Sequence, residues 1–295
     1  MVQFDGLRPA RLKVGIISAG RVGTALGVAL ERVDHVVVAC SAISRASRER
    51  AERRLPDTPI FPVPDVAGSA ELLLLAVPDT ELPGLVSGLA ATSAVRPGTI
   101  VAHTSGANGV GVLAPLTDCA PLAIHPAMTF TGSDEDIARL SDACFGITAA
   151  DEVGYAIAES LVLEIGGEPF RVREEARPLY HAALAHAANH VVTVLGDALD
   201  ALRAALPGEL GLDDPDGVAE RVLGPLARAA LENTLQRGQA ALTGPVARGD
   251  ADALVAHLDA LAAVDPQLAQ AYRVNALRTA ERAHAPADVF EVLAQ

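Results

Sequence analysis

The chain has no tryptophan, only three cysteines, and a single lysine, Lys13, among its 23 Lys and Arg residues. Aromatic residues make up 3% of its 295 positions. Cys40, Cys119 and Cys144 are odd in number and scattered, without metal-ligand spacing, so they read as reduced, buried small hydrophobes and not as a disulfide or zinc framework. No apolar run approaches the length of a membrane span, and Met1 to Pro9 lacks the basic-then-apolar pattern of a secretory signal. A cytoplasmic protein with no membrane association is therefore expected. Positive charge is also scarce: the net charge is -14, and no Lys/Arg cluster relieves it, which excludes nucleic acid and other polyanions as partners. A small-molecule substrate is the class that remains.

Half of the residues are hydrophobic, enough for a full core. The most informative stretch is near the start. An apolar run, Val14 to Ile17, breaks into Ser18-Ala19-Gly20-Arg21-Val22-Gly23 and continues as the helix-like Thr24 to Leu30. This is a strand, a tight turn and a helix. In a dinucleotide-binding turn, small residues let the chain reverse, let backbone approach the pyrophosphate, and let the helix pack on the strand. Here the first position is Ser18 in place of glycine. A second strand, Val36 to Cys40, follows at the distance a βαβ unit requires.

Short apolar strands then alternate with helices. A short strand is expected at Ile60-Phe61, and the run Glu71 to Val77 is apolar on both faces, as in a strand inside a parallel sheet. A helix over Leu82–Ala91, strands at Thr99–His103 and Ala120–Ile124, another at Cys144–Thr148, a helix over Val153–Ile165 and a strand near Glu168–Val172 complete the pattern. It predicts an α/β fold: a doubly wound, mostly parallel Rossmann-like sheet over residues 1–173. From about Arg173 the reading is helical throughout, giving an all-helical C-terminal domain over 174–295. Its helices are expected at Arg173–Leu206, stopped by Pro207-Gly208; at Pro215 to about Gly238; from an Asp250 N-cap to Val264; and from Pro266 to about His284. The first is long enough to run the depth of a domain or of a dimer interface. A homodimer is the expected assembly.

Ligands of open parallel sheets bind outside the carboxyl ends of the strands, so the residues just after each strand are the informative ones. These are Ser18 to Val22, Ser41 to Arg45, Val77 to Asp79, His103 to Gly106 and His125 to Thr129. An NAD-selective protein needs a carboxylate for the adenosine ribose roughly 20 residues past the glycine turn. None occurs from Val36 to Arg48, where Ser44 and Arg45 stand instead, which suits the 2′-phosphate of NADP(H).

Five motifs carry a resemblance: Ala76-Val77-Pro78-Asp79; His103-Thr104-Ser105-Gly106; His125-Pro126 with Thr129-Phe130; Leu179-Tyr180-His181-Ala182-Ala183 with Asn189; and Thr243 to Asp250, which reads TGPVARGD. The chain resembles the nicotinamide-dependent group that includes 6-phosphogluconate, β-hydroxyacid and prephenate dehydrogenases and ketopantoate and pyrroline-5-carboxylate reductases. More narrowly, it is similar to proteins in which a Rossmann-like domain precedes a helical domain of unknown function termed DUF2520. The resemblance implies NADP(H) as cofactor, bound by Ser18 to Gly23, Ser44, Arg45, Val77, Pro78 and His103. The prephenate dehydrogenases have a similar His-Pro and a preceding serine, which carries catalytic roles onto His125 and Ser105. In ketopantoate reductases a lysine and an asparagine lie eight residues apart on the first long helix of the second domain; His181 and Asn189 have that separation here. On a uniform α-helix they sit about 80° apart around the axis and about 12 Å along it. There is no lysine at that place. Thr129 and Arg248 are the expected substrate contacts, the Arg248 fork suiting a carboxylate. For Thr243–Asp250 a plain interhelix turn is an equal alternative.

Reduction of a carbonyl needs a proton donor. Lys13 lies at the amino end of the first strand, the wrong end of the sheet, so histidine is expected to serve. His125 ranks first, His181 second, and Ser105 and Asn189 orient substrate and water. No metal is expected, since His103, His125 and His181 have no cysteine or carboxylate at matching ligand spacing. The expected activity is NADP(H)-dependent hydride transfer to or from a small carboxylate-bearing carbonyl or hydroxy compound. A non-catalytic NADP-binding sensor or scaffold is the alternative.

Overall fold

A computed structural model describes residues 11–206 and 217–295. The chain forms two compact units, one running to Ala188 and the other from Asn189 to Gln295. In the first, a seven-stranded sheet has the order β2-β1-β3-β4-β5-β6-β7. Its strands are β1 Lys13–Ile17, β2 Val36–Cys40, β3 Leu72–Leu75, β4 Ile100–His103, β5 Ala120–Pro126, β6 Cys144–Ala149 and β7 Glu168–Arg171. All pairings are parallel except β5 with β6. The connections carry α1 Arg21–Glu31, α2 Arg45–Arg54, α3 Val63–Ser69, α4 Leu82–Ala91, α5 Glu135–Arg139 and α6 Glu152–Glu164. A parallel neighbour on each side and a helix layer on each face bury β3, all leucine, completely.

Chain order reverses between β1 and β3: β2 lies outside β1 and β3 lies on its other side. A crevice opens at the carboxyl end of the sheet at such a switch point. The turn leading out of β1 is built for close approach. Ser18 adopts a left-handed φ of 73°, and its N–H donates to Ser41 Oγ at 3.0 Å while the Ala19 N–H donates to the Ser41 carbonyl at 2.7 Å. A Cβ at Gly23 would collide with the Ser18 carbonyl, so only glycine lets α1 start this close to β1. Helix α1 begins at Arg21, so Arg21 to Gly23 form its first turn and lie inside the helix, beyond the reversal itself. No side chain caps it.

Four further expectations are corrected. Cys40 is buried, but Cys119 is half-buried and Cys144, at the start of β6, is exposed. Ile60 makes only an isolated parallel bridge to Cys40, because the prolines at 59, 62 and 64 limit the donors a strand needs. His125 and Pro126 are the last residues of β5 and do not belong to the loop after it, because antiparallel pairing with β6 extends the ladder to Pro126↔Phe145. The expected single helix over 173–206 is a composite: a 3₁₀ turn at Glu174–Ala176, α7 Arg177–Ala185, a π turn at His186–His190, and α8 Val191–Ala205. The boundary between the units falls inside that π turn. The α-helical spacing used for His181 and Asn189 is therefore interrupted between them. The expectations at Met1–Pro9, Pro207-Gly208 and Pro215 lie outside the described residues.

The second unit contains α8, α9 Val218–Arg237, α10 Pro245–Arg248, α11 Ala251–Val264, α12 Pro266–Ala283 and α13 Ala287–Leu293. Val246, Leu254, Leu258, Ala276, Ala280, Val289 and Leu293 make its core. Asp250 caps α11 by accepting the Ala253 N–H at 3.2 Å. Among the described residues no helix is long and apolar enough to cross a membrane.

Candidate active site

The end of β4, the end of β5 and the start of α7 meet around one buried side chain, Arg177. It is fully buried, and every hydrogen bond it makes goes to a neutral group. Nε donates to Thr148 Oγ1 at 2.8 Å, Nη1 to the Ser105 carbonyl at 3.3 Å, and Nη2 to the carbonyls of Ala123 at 3.1 Å and Gly146 at 3.0 Å. Three segments of the first unit, the loop after β4, β5 and β6, thus converge on one guanidinium, and burial lowers its pKa from the usual arginine value. A planar five-donor fork can satisfy such a set, whereas an ammonium cannot.

His125 lies beside it. Its Nδ1 is 2.8 Å from the Tyr180 hydroxyl, and the two rings meet edge to face at 5.5 Å. Tyr180 in turn lies 5.7 Å, ring centroid to guanidinium carbon, from Arg177. Burial first, then the Arg177 charge and His181, push the His125 imidazole down to about 4, with Asp79 opposing. His125 is therefore neutral near pH 7. Burial likewise raises the Tyr180 phenol, although Arg177 pulls it back down.

Two glycines make the room. A Cβ at Gly146, which stands opposite His125 in the β5–β6 register, would lie 2.7 Å from the Tyr180 hydroxyl. One at Gly106 would lie 2.9 Å from His125 Nε2 and 2.8 Å from His181 Cδ2. Thus His125 and His181, whose rings are 6.2 Å apart, share the space over Gly106. Among the described residues nothing bonds His125 Nε2.

His103 and Ser105 lie beneath. The Ser105 N–H donates to His103 Nδ1 at 3.2 Å, which leaves Nε2 protonated to donate to the Gly109 carbonyl at 2.9 Å. Both ring nitrogens are engaged within the chain, the side chain is fully buried, and burial pushes its pKa to about 4. Ser105 Oγ accepts from the Asn108 backbone N–H at 3.0 Å and its side-chain amide at 2.9 Å. Glu174 accepts the N–H groups of Val110 at 2.8 Å and Gly111 at 3.0 Å, tying the same loop to the approach of α7.

The other expected residues are spread more widely. Val77 and Pro78 follow β3, and Thr129 is exposed beyond β5. Ser44 caps α2, its Oγ accepting the Ser47 N–H at 3.1 Å, and Arg45 opens that helix with its side chain exposed, 2.8 Å from Glu49. Asn189 and Arg248 belong to the second unit. Arg248 is exposed, and one of its nitrogens donates to the Thr243 carbonyl at 2.6 Å, closing the turn before α10. Sequence reading missed Arg177 and the part played by Tyr180. The available signal was Gly106 after β4 and Gly146 within β6, each leaving a gap beside a histidine.

The class is thus a Rossmann-like domain followed by a helical unit, and comparison with known proteins gives the particular family. Residues 2–126 match the Rossmann-like domain, and residues 143–279 match a domain of unknown function, DUF2520. The chain is a Rossmann-like plus DUF2520 protein. Among solved structures, a candidate NADP oxidoreductase from Bacteroides fragilis superposes with a TM-score of 0.75 at 20% identity, over 92% of this chain and 98% of that one. A 1-pyrroline-5-carboxylate reductase from Streptococcus pyogenes superposes with a TM-score of 0.60 at 17% identity, over 92% and 98% respectively. These two likenesses are of fold. A glycerol-3-phosphate dehydrogenase (NAD(P)+) from Ruegeria sp. strain TM1040 is 30% identical over 164 residues, 51% of this chain. The chain spans about half the length of that relative (51%).

Proposed function

We propose that the protein is an NADP(H)-dependent oxidoreductase acting on a small carbonyl or hydroxy compound that bears a carboxylate. The observation that carries this reading is His125 Nε2, unbonded among the described residues, over Gly106 at the carboxyl end of the sheet. A relative named as a glycerol-3-phosphate dehydrogenase (NAD(P)+) and a structural neighbour named as a candidate NADP oxidoreductase support it. The turn over Ser18 to Gly23 fits a dinucleotide: a glycine that a Cβ would fill, and an uncapped helix whose N–H groups suit a pyrophosphate. Arg45, next to a cap with no acidic residue in the first turn of α2, suits a 2′-phosphate, with Val77 and Pro78 along the cofactor. The bound nicotinamide would supply the hydride. On the chain's side, His125 Nε2–H donates to the substrate oxygen and His181 orients substrate. Ser105 holds the loop that carries Gly106, and Thr129 contacts the carboxylate. Exposed apolar side chains on α8 and α9, among them Val192, Leu226 and Leu235, support a homodimer.

Replacing His125 by Asn tests the assignment. A positioned proton donor contributes about 10²–10⁴ in rate, so His125→Asn lowers kcat at least about a hundredfold with NADPH affinity nearly unchanged. Wild-type turnover in both His125→Asn and His181→Asn would remove histidine from the chemistry.

A further inference from the structure

The neutrality of His125 poses a chemical problem. A neutral imidazole that gives up its Nε2 proton becomes an imidazolate, an expensive base, unless a proton arrives at Nδ1 in the same event. The group facing Nδ1 is the Tyr180 hydroxyl, 2.8 Å away. We propose that Tyr180 donates its hydroxyl proton to His125 Nδ1, fixing the imidazole as the Nε2–H tautomer and relaying a proton through it, with buried Arg177 as the cation that faces the resulting phenolate. The inference rests on the reading of His125 as donor to the reacting oxygen.

The direction of this hydrogen bond follows from its surroundings. The Arg177 guanidinium lies toward the Tyr180 ring and is held by neutral carbonyls and a hydroxyl. A fixed cation near the phenol favours the arrangement in which the hydroxyl donates and its oxygen gains negative charge over one in which it accepts from Nδ1–H. The same field opposes a proton on both imidazole nitrogens. His181 faces the pair from α7, Asp79 from the loop after β3, His103 from β4 and Cys144 from β6, and Glu174 from the turn before α7 faces Arg177. Among these Arg177 is the permanently charged cation, and it lies 5.7 Å from the centre of the Tyr180 ring.

The step balances. As a substrate carbonyl carbon takes up hydride, its π pair moves to oxygen, and that oxygen forms a bond to the proton of Nε2. The N–H electron pair stays on the ring, Nδ1 bonds the Tyr180 proton, and the O–H pair remains on the phenolate beside Arg177. Net charge around Arg177 falls by one, and solvent returns the proton after product leaves. Tyr180 acts through His125 and is a positioning residue; Gly146 is the strand position that admits it.

The test uses the full chain with ¹⁵N-labelled histidine, without ligand, at neutral pH, with the His125 signal assigned by its loss in His125→Asn. Wild type shows an unprotonated Nδ1 and a protonated Nε2, and Tyr180→Phe shifts the ring toward the opposite tautomer. Gly146→Ala, which displaces the hydroxyl while keeping tyrosine, does the same. With a reactive substrate, Tyr180→Phe lowers kcat about ten- to a hundredfold, with KM little changed. The solvent isotope effect then changes from two protons in flight to one. A His125 tautomer identical in wild type and Tyr180→Phe overturns the inference whether or not turnover is found. A protein that shows the tautomer shift but transfers no hydride overturns the oxidoreductase reading and, with it, the relay.

Discussion

His103 and His125 do different work at similar acidity. His103 is sealed between Ser105 and Gly109 and holds the β4 loop, whereas His125 keeps one nitrogen for whatever enters over Gly106. Both fall from an ordinary 6.5 to about 4. Between those values the unfolded chain binds more protons than the folded one, so stability is fully present above about pH 6.5 and is lost as pH falls toward 4. At ~1.4 kcal/mol per pKa unit, the His103 contribution is on the order of 3 kcal/mol. Denaturant midpoints at pH 7 and pH 4.5 check this: wild type loses more stability over that interval than a His103→Gln, His125→Asn double variant, which starts lower. Equal losses would contradict the account of both sites.

At the scale of elements, the first βαβ unit carries the cofactor assignment. Arg45 projects from the first turn of α2 into solvent, tied among the described residues to Glu49 four residues on, so a nucleotide phosphate can recruit it. Charge-assisted hydrogen bonds contribute about 1.5–3 kcal/mol, so Arg45→Ala weakens NADPH about 10–100-fold relative to NADH by calorimetry. An unchanged ratio would remove the 2′-phosphate assignment. This unit was legible in the sequence because its signals are local: β-branched runs, one glycine turn and a missing carboxylate. Helix α4 and strand β2 were readable to the residue for the same reason. What escaped depends on partners distant in sequence. His125 ends inside β5 only because β6 returns antiparallel, and the π turn that interrupts the helix after α7 has no local composition of its own. Arg177 escaped for a related reason. It opens a helix, where an arginine usually faces water, and its partners are Ser105, Ala123, Gly146 and Thr148, from 29 to 72 residues away.

At the scale of the molecule, the glycine turn at the switch point of the sheet and a histidine–tyrosine–arginine cluster around β4 and β5 belong to the same unit. The second unit contains Asn189, Arg248 and several exposed apolar side chains on α8 and α9. The central claim is that hydride passes between NADPH and a small carboxylate-bearing compound at this cluster. It is tested most directly with NADPH carrying deuterium at C4, incubated with the protein and a panel of 2-oxo acids and cyclic imino acids, with mass spectrometry of the products. The account predicts one class of compound that gains deuterium at the former carbonyl or imine carbon, and loss of that label in His125→Asn. A protein that binds NADPH tightly yet labels no compound in the panel would contradict it and leave a nucleotide sensor or scaffold as the reading.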